Sequence, residues 1–146
     1  MSCPKSLPEL LLRSVEAEAS AVAIVDGDER KSYADLWQDI LSAAGFLRDA
    51  GLQPGDRVAL LIDNSIDYVI AYYSTMVAGG VVVALNTAAK SRDILNWLHH
   101  SGARFLILDA SHPEFAAVHA ALDGADISIV VRGGGAADAG AFGWHD

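Results

Sequence analysis

Cysteine is almost absent: Cys3 stands alone among 146 residues. One thiol cannot close an internal disulfide, so a disulfide-framed secreted scaffold is excluded. With no base beside it in sequence, Cys3 is also a poor nucleophile. Positive charge is scarce. Ten Lys and Arg stand against 19 Asp and Glu, a formal net charge of −9, and no basic run interrupts the chain. Such a balance suits neither nucleic acid nor an anionic membrane surface. No apolar run approaches the roughly 18 residues of a spanning helix. The leucines at 10–12, cut short by Arg13, fall below the about 7–15 apolar residues of a signal-peptide core. A soluble, reducing, cytoplasmic setting is expected. Catalytic and metal motifs are missing as well: there is no HExxH, CxxC, GxSxG or GxxxxGK[ST]. His99 and His100 are adjacent and would diverge by about 100° on a helix. His112 and His119 have no companion ligands in sequence. Surface or capping roles suit all four, and no metal ligand is assigned.

What the chain does hold is apolar mass. Hydrophobic residues make up 52% of 15.4 kDa, enough for one domain burying roughly 68–70% of its unfolded surface. Leu7, Leu10, Leu11 and Val15 recur at helical spacing, with Pro8 placed for a first turn. Residues 21–25 and 30–32 flank the turn Asp26-Gly27-Asp28 as a short hairpin. Ser32 then reads as an N-cap with Asp35 three residues on, like a capping box. Tyr33, Leu36, Trp37, Ile40, Leu41, Ala44 and Leu47 form one apolar helix face. Gly51 closes that helix and Pro54-Gly55 fits the centre of a type II turn.

Beyond residue 56 a rhythm sets in. Aliphatic runs at 57–62, 81–85, 104–108 and 127–131 start 24, 23 and 23 residues apart. Helical patterns at 66–78, 92–101 and 113–122 separate them, ended by Gly79, Gly102 and Gly124. The runs are apolar throughout, as when helices cover both faces of a parallel sheet. The fold class expected is therefore α/β: a βαβαβαβ series making a parallel sheet flanked by helices over residues 1–131. Residues 132–146 hold five of the chain's 13 glycines and read as a Gly-rich linker or tail. Their glycines lack the lysine and following helix of a phosphate loop.

In parallel sheets ligands bind outside the carboxyl ends of the strands. Here those ends are Asp63-Asn64-Ser65, Asn86-Thr87 and Asp109-Ala110-Ser111. They are polar, as a site requires, but the same residue types serve as helix caps. Trp37, Tyr72 and Tyr73 fall at helical positions and suit packing better than a stacking platform. From the residues alone no assembled chemistry emerges.

Five segments nevertheless occur in a recognisable order: Ser32-Tyr33-Ala34-Asp35-Leu36, residues 51–59 (GLQPGDRVA), Asp63-Asn64-Ser65, residues 78–86 (AGGVVVALN) and the strand at 104–109. Together the stretch 31–108 resembles the adenylate-forming (AMP-binding) acyl-CoA synthetase superfamily. The resemblance implies the first part of that family's large N-terminal domain. It further implies a whole enzyme in which a carboxylate attacks the α-phosphate of ATP, giving acyl-AMP, and a thiol such as CoA then displaces AMP. ATP, Mg²⁺ and CoA would serve that enzyme, acting on a small carboxylic acid. The family's phosphate loop, its nucleotide-contacting motifs and its catalytic lysine would lie beyond residue 146. The chain alone is thus expected to be inactive, to bind no cofactor, to hold no catalytic residue and to self-associate where the remainder is missing. Ala84 replaces the family's usual proline. Lys90, after Asn86, is the candidate contact for a CoA phosphate. A carrier-protein-loading adenylation enzyme and a non-catalytic α/β interaction module are the alternatives.

Overall fold

The computed structural model describes residues 4–133; the Gly-rich stretch assigned as linker or tail falls, from residue 134 on, outside the described residues. Helix α1 (Leu7–Glu18) precedes a hairpin of β1 (Val22–Asp26) and β2 (Glu29–Ser32). Helix α2 (Tyr33–Asp49) follows, then β3 (Arg57–Leu61), α3 (Ile66–Val77), β4 (Val81–Ala84), α4 (Ser91–Ser101), β5 (Ala103–Asp109), α5 (Phe115–Ala121) and β6 (Ser128–Arg132).

Local chemistry sets the ends of α2. The Ser32 hydroxyl accepts the Asp35 N–H at 3.1 Å and donates to the Asp35 carboxylate at 2.7 Å. Capping of this kind stabilises a helix by about 1 kcal/mol. At the other end Gly51 takes φ +99°. The Gly51 N–H reaches the Arg48 carbonyl and the Leu52 N–H the Leu47 carbonyl, both at 2.9 Å. That pair of bonds is a Schellman motif, and it buries Leu52 with Leu47. The Gln53–Asp56 turn closes with the Asp56 N–H on the Gln53 carbonyl, with Gly55 at φ +87°.

Four strands form one parallel sheet in the order β4-β3-β5-β6. Alternate residues of the inner strands face opposite ways. Val58, Leu60, Phe105 and Ile107 join one core cluster with α1, α2 and α3. Ala59, Leu61, Leu106 and Leu108 join a second with α4 and α5. Because both faces are covered, β3 and β5 are apolar in nearly every position, as the uninterrupted runs require. Burying one such Leu contributes about 1.5–3 kcal/mol.

The sequence reading needs two adjustments. Arg132 is the last residue of β6 rather than the first of a tail. Leu41, assigned to the buried face of α2, is 41% exposed, and Ala43 takes the buried place. Trp37 is half-buried, packed at the edge of the first cluster. The cause is shared: α2 packs mainly against α3, so the buried stripe runs through Leu36, Ile40, Ala43, Ala44 and Leu47, and 37 and 41 flank it.

Candidate functional site

The carboxyl edge of the sheet carries the polar residues. The strand order makes a switch point there: β3 leads into α3 on one face, whereas β5 leads into α5 on the other. In open α/β sheets the crevice at such a point is where ligands bind. In this chain a cation bridges it. The Arg132 guanidinium pairs through Nε with Asp67, in the first turn of α3, and through Nη1 with Asp109, at the end of β5, at 2.8 Å. The three side chains are largely buried, 30%, 17% and 14% exposed. The paired carboxylates hold the arginine's proton even more firmly than usual, against the cost of its burial.

Two other strand-end residues, Ser65 and Asn86, are also engaged. The Ser65 hydroxyl accepts the Tyr68 N–H at 3.1 Å, capping α3, while the Asp26 carboxylate accepts the Ile66 N–H at 3.3 Å. A groove of about 310 Å³ lies between this helix start and the hairpin, lined by residues including Val25, Asn64 and Tyr68. Asn86 accepts the Ala88 N–H at 2.9 Å in its own turn. A second, more apolar groove of about 370 Å³ runs beside β4, between Val83, Leu85 and Trp97.

Lys90 sits at the N-cap of α4 but gives that helix no side-chain cap. Glu114 does so from the next loop. Its carboxylate accepts the Ser91 N–H at 3.0 Å and pairs with the Lys90 ammonium at 3.3 Å. The Ser91 hydrogen bonds, with Lys90 adding to them, hold the Glu114 carboxyl below the usual carboxylate range. The place at this helix start that suits an anion is filled by the chain's own carboxylate. Beside it, His112 bonds the Thr87 carbonyl at 2.9 Å and the Glu114 N–H at 3.1 Å.

The structure thus brings Lys90 into a cluster with Thr87, His112 and Glu114, and leaves it 78% exposed. Arg132, Asp67, His112 and Glu114 are the residues whose roles the sequence did not reveal. No local pattern signals them, since apart from the His112–Glu114 bond their partners lie 23 to 65 residues away. Among the described residues no glycine loop runs into a helix with a lysine, and no group of three His, Cys, Asp or Glu could hold a metal ion. Nor is any described helix long and apolar enough to cross a membrane.

Comparison with known proteins places this geometry. A family model described as AMP-binding enzyme matches residues 11–144. The long-chain-fatty-acid–CoA ligase of Bacillus subtilis is 38% identical over 114 residues, 74% of this chain and 20% of the ligase. A benzoate CoA ligase from Burkholderia xenovorans superposes with a TM-score of 0.77 at 27% identity, over 85% of this chain and 25% of that one. The N-terminal subdomain of Klebsiella oxytoca NpsA, in complex with 3-hydroxybenzoyl-AMSN, gives 0.75 at 25% identity, over 88% and 30%. The chain therefore spans less than a third of each of these relatives.

Proposed function

Because the chain belongs to the AMP-binding enzyme family, we propose that it is the sheet-building N-terminal portion of an AMP-forming acid–thiol ligase and performs no chemistry by itself. One observation carries this reading. At the carboxyl edge, where a ligand would enter, Ser65, Asn86, Asp67, Asp109, Arg132 and Glu114 all serve internal caps and ion pairs. Such an edge supports a site and does not constitute one. The whole enzyme would use ATP, Mg²⁺ and CoA on a small carboxylic acid in the cytoplasm, and the parts that handle phosphate would lie in its remainder. Stabilising the charge that develops on a transferred phosphoryl group needs a metal and fixed cations, and here the placed cations are already paired.

The test is a chimera. This chain replaces the matching segment of the Bacillus subtilis ligase, which shares 38% identity with it. The chimera should catalyse carboxylate-dependent ATP–pyrophosphate exchange, and the 146-residue chain alone should show none. Exchange by the homogeneous chain, or a folded but inactive chimera, refutes the reading. Lys90 adds a finer proposal, that its exposed ammonium meets a CoA phosphate as a point charge. In the chimera Lys90→Ala should then weaken thioester formation by about 1.5–3 kcal/mol, the weight of a hydrogen bond to a charged group, and leave pyrophosphate exchange unchanged. Equal effects on both half-reactions, or none on either, remove Lys90 from that role.

A further inference from the structure

We infer that His112 is a proton-operated latch on the contact between the two loops at the carboxyl edge, tight while its ring is neutral and loosened at Glu114 when the ring takes a second proton. Its two bonds define the tight state. The Thr87 carbonyl can only accept, so Nε2 carries the hydrogen of that 2.9 Å bond. The Glu114 backbone N–H can only donate, so Nδ1 meets it at 3.1 Å with a bare lone pair. The imidazolium has hydrogens on both nitrogens. It keeps the Thr87 bond but sets one N–H against another at Glu114.

That collision propagates, because Glu114 does more than receive the latch. Its carboxylate caps α4 through the Ser91 N–H and pairs with Lys90, and α4 has no cap from its own N-cap side chain. The loop from β4 to α4 is therefore gripped twice by the loop from β5 to α5, once at Thr87 and once at Ser91 and Lys90. Charging His112 leaves the first grip and loosens the second. The charged and titratable groups on the neighbouring elements are Lys90, Arg92 and Asp93 at the start of α4, Asp109 on β5 bound to Arg132, Glu114 itself, and His119 on α5 against the Phe115 ring. Glu114 stays ionised through mild acid, since Ser91 and Lys90 hold its carboxyl below the usual range. The device acts on the loop that carries Lys90, yet it does not depend on what Lys90 binds.

The test uses the 146-residue chain, with amide hydrogen exchange at Glu114 and Ser91, corrected for intrinsic rates, and the ring ¹⁵N shifts of His112, at pH 8 and pH 5. At pH 8 the ring should show the hydrogen on Nε2. Where the ring shifts on acidification report the imidazolium, protection at both amides should be lower by about tenfold, the weight of roughly one hydrogen bond. His112→Asn keeps an acceptor for an N–H two residues on and nothing that titrates, so its protection should be equal at the two pH values. Unchanged protection in the wild type, a parallel fall in His112→Asn, or a hydrogen on Nδ1 at pH 8 overturns the latch. The wild-type ring shifts and exchange decide the matter even if the variant does not fold.

Discussion

Replacing Arg132 with methionine tests whether the switch point is braced as its geometry implies. Methionine keeps an unbranched apolar stem and removes the guanidinium, so Asp67 and Asp109 lose their shared cation while packing changes little. Exposed ion pairs contribute about 0.2–1 kcal/mol, whereas removing one partner from a buried pair costs about 3–5 kcal/mol. Here the carboxylates are 17% and 14% exposed and the arginine 30%, so the cost falls between those limits, at about 2–3 kcal/mol. Against a total stability of about 5–15 kcal/mol, that is a large fraction. With an unfolding entropy of about 2.1 cal/mol/K per residue, it lowers Tm by about 6–10 °C. Urea unfolding followed by tryptophan fluorescence should show a lower midpoint with an unchanged m value. Adding Asp67→Asn and Asp109→Asn to Arg132→Met should recover part of the loss, because the amides carry no charge to be left unpaired. An Arg132→Met chain within about 0.5 kcal/mol of wild type, or losses that simply add across the three sites, refutes the reasoning.

Other expectations follow from burial, backbone and charge. Trp37→Ala should cost about 2 kcal/mol, half of a fully buried aromatic truncation, whereas Leu106→Ala, at 0% exposure in the centre of the sheet, should cost about 3–5 kcal/mol; equal midpoints in urea would show the two sites to be alike. Gly102→Ala forces a side chain into φ +64° with its Cβ 2.8 Å from the Arg57 guanidinium, and a loss of about 1–2 kcal/mol by calorimetry is expected. Glu114, held below the usual carboxylate range, contributes stability that is present above the unfolded value near 4.3 and lost as pH falls through its folded value. Unfolding between pH 6 and pH 3 should therefore be less pH-dependent in Glu114→Gln than in wild type. Val81, on the open edge strand β4, and Trp97 beside it are 49% and 38% exposed, and light scattering at high concentration should show self-association; a clean monomer would count against it.

What could be read in the sequence was what is local. The N-cap at Ser32, the Schellman glycine at 51 and the turn at Pro54-Gly55 depend on a handful of adjacent residues, and each stands as the sequence implied. The four parallel strands were legible because strands covered on both faces must be apolar at every position. Pairing across the fold was not legible. The order β4-β3-β5-β6 leaves no mark on any one strand, since each of the four is similarly aliphatic. Leu41 and Ala43 lie on neighbouring stripes of α2, and only the position of α3 decides which is buried. The cap of α4 was missed because it comes from Glu114, 23 residues after the Ser91 N–H it receives. The strand-end polar residues were visible as either caps or site; Ser65 proves a cap, Asn86 holds its own turn and Asp109 joins an ion pair.

The occupied switch point also bears on where a substrate can sit. In an open parallel sheet the crevice exists because neighbouring strands send their helices to opposite faces, which leaves a gap at the strand ends. Here β3 and β5 meet that condition, and Arg132, the last residue of the neighbouring β6, spans the gap to hold the first turn of α3 against the end of β5. A ligand entering at that place would have to displace a cation bound to two largely buried carboxylates and leave both unpaired, which opposes binding by the same few kcal/mol that Arg132→Met is expected to cost. An anionic ligand such as a nucleotide phosphate would meet those carboxylates directly. A ligand at this edge of the described residues would therefore lie above the triad, with the ion pairs as its floor. A braced floor serves such a site well: groups that must be held within about half an ångström of a working geometry need a support that does not move.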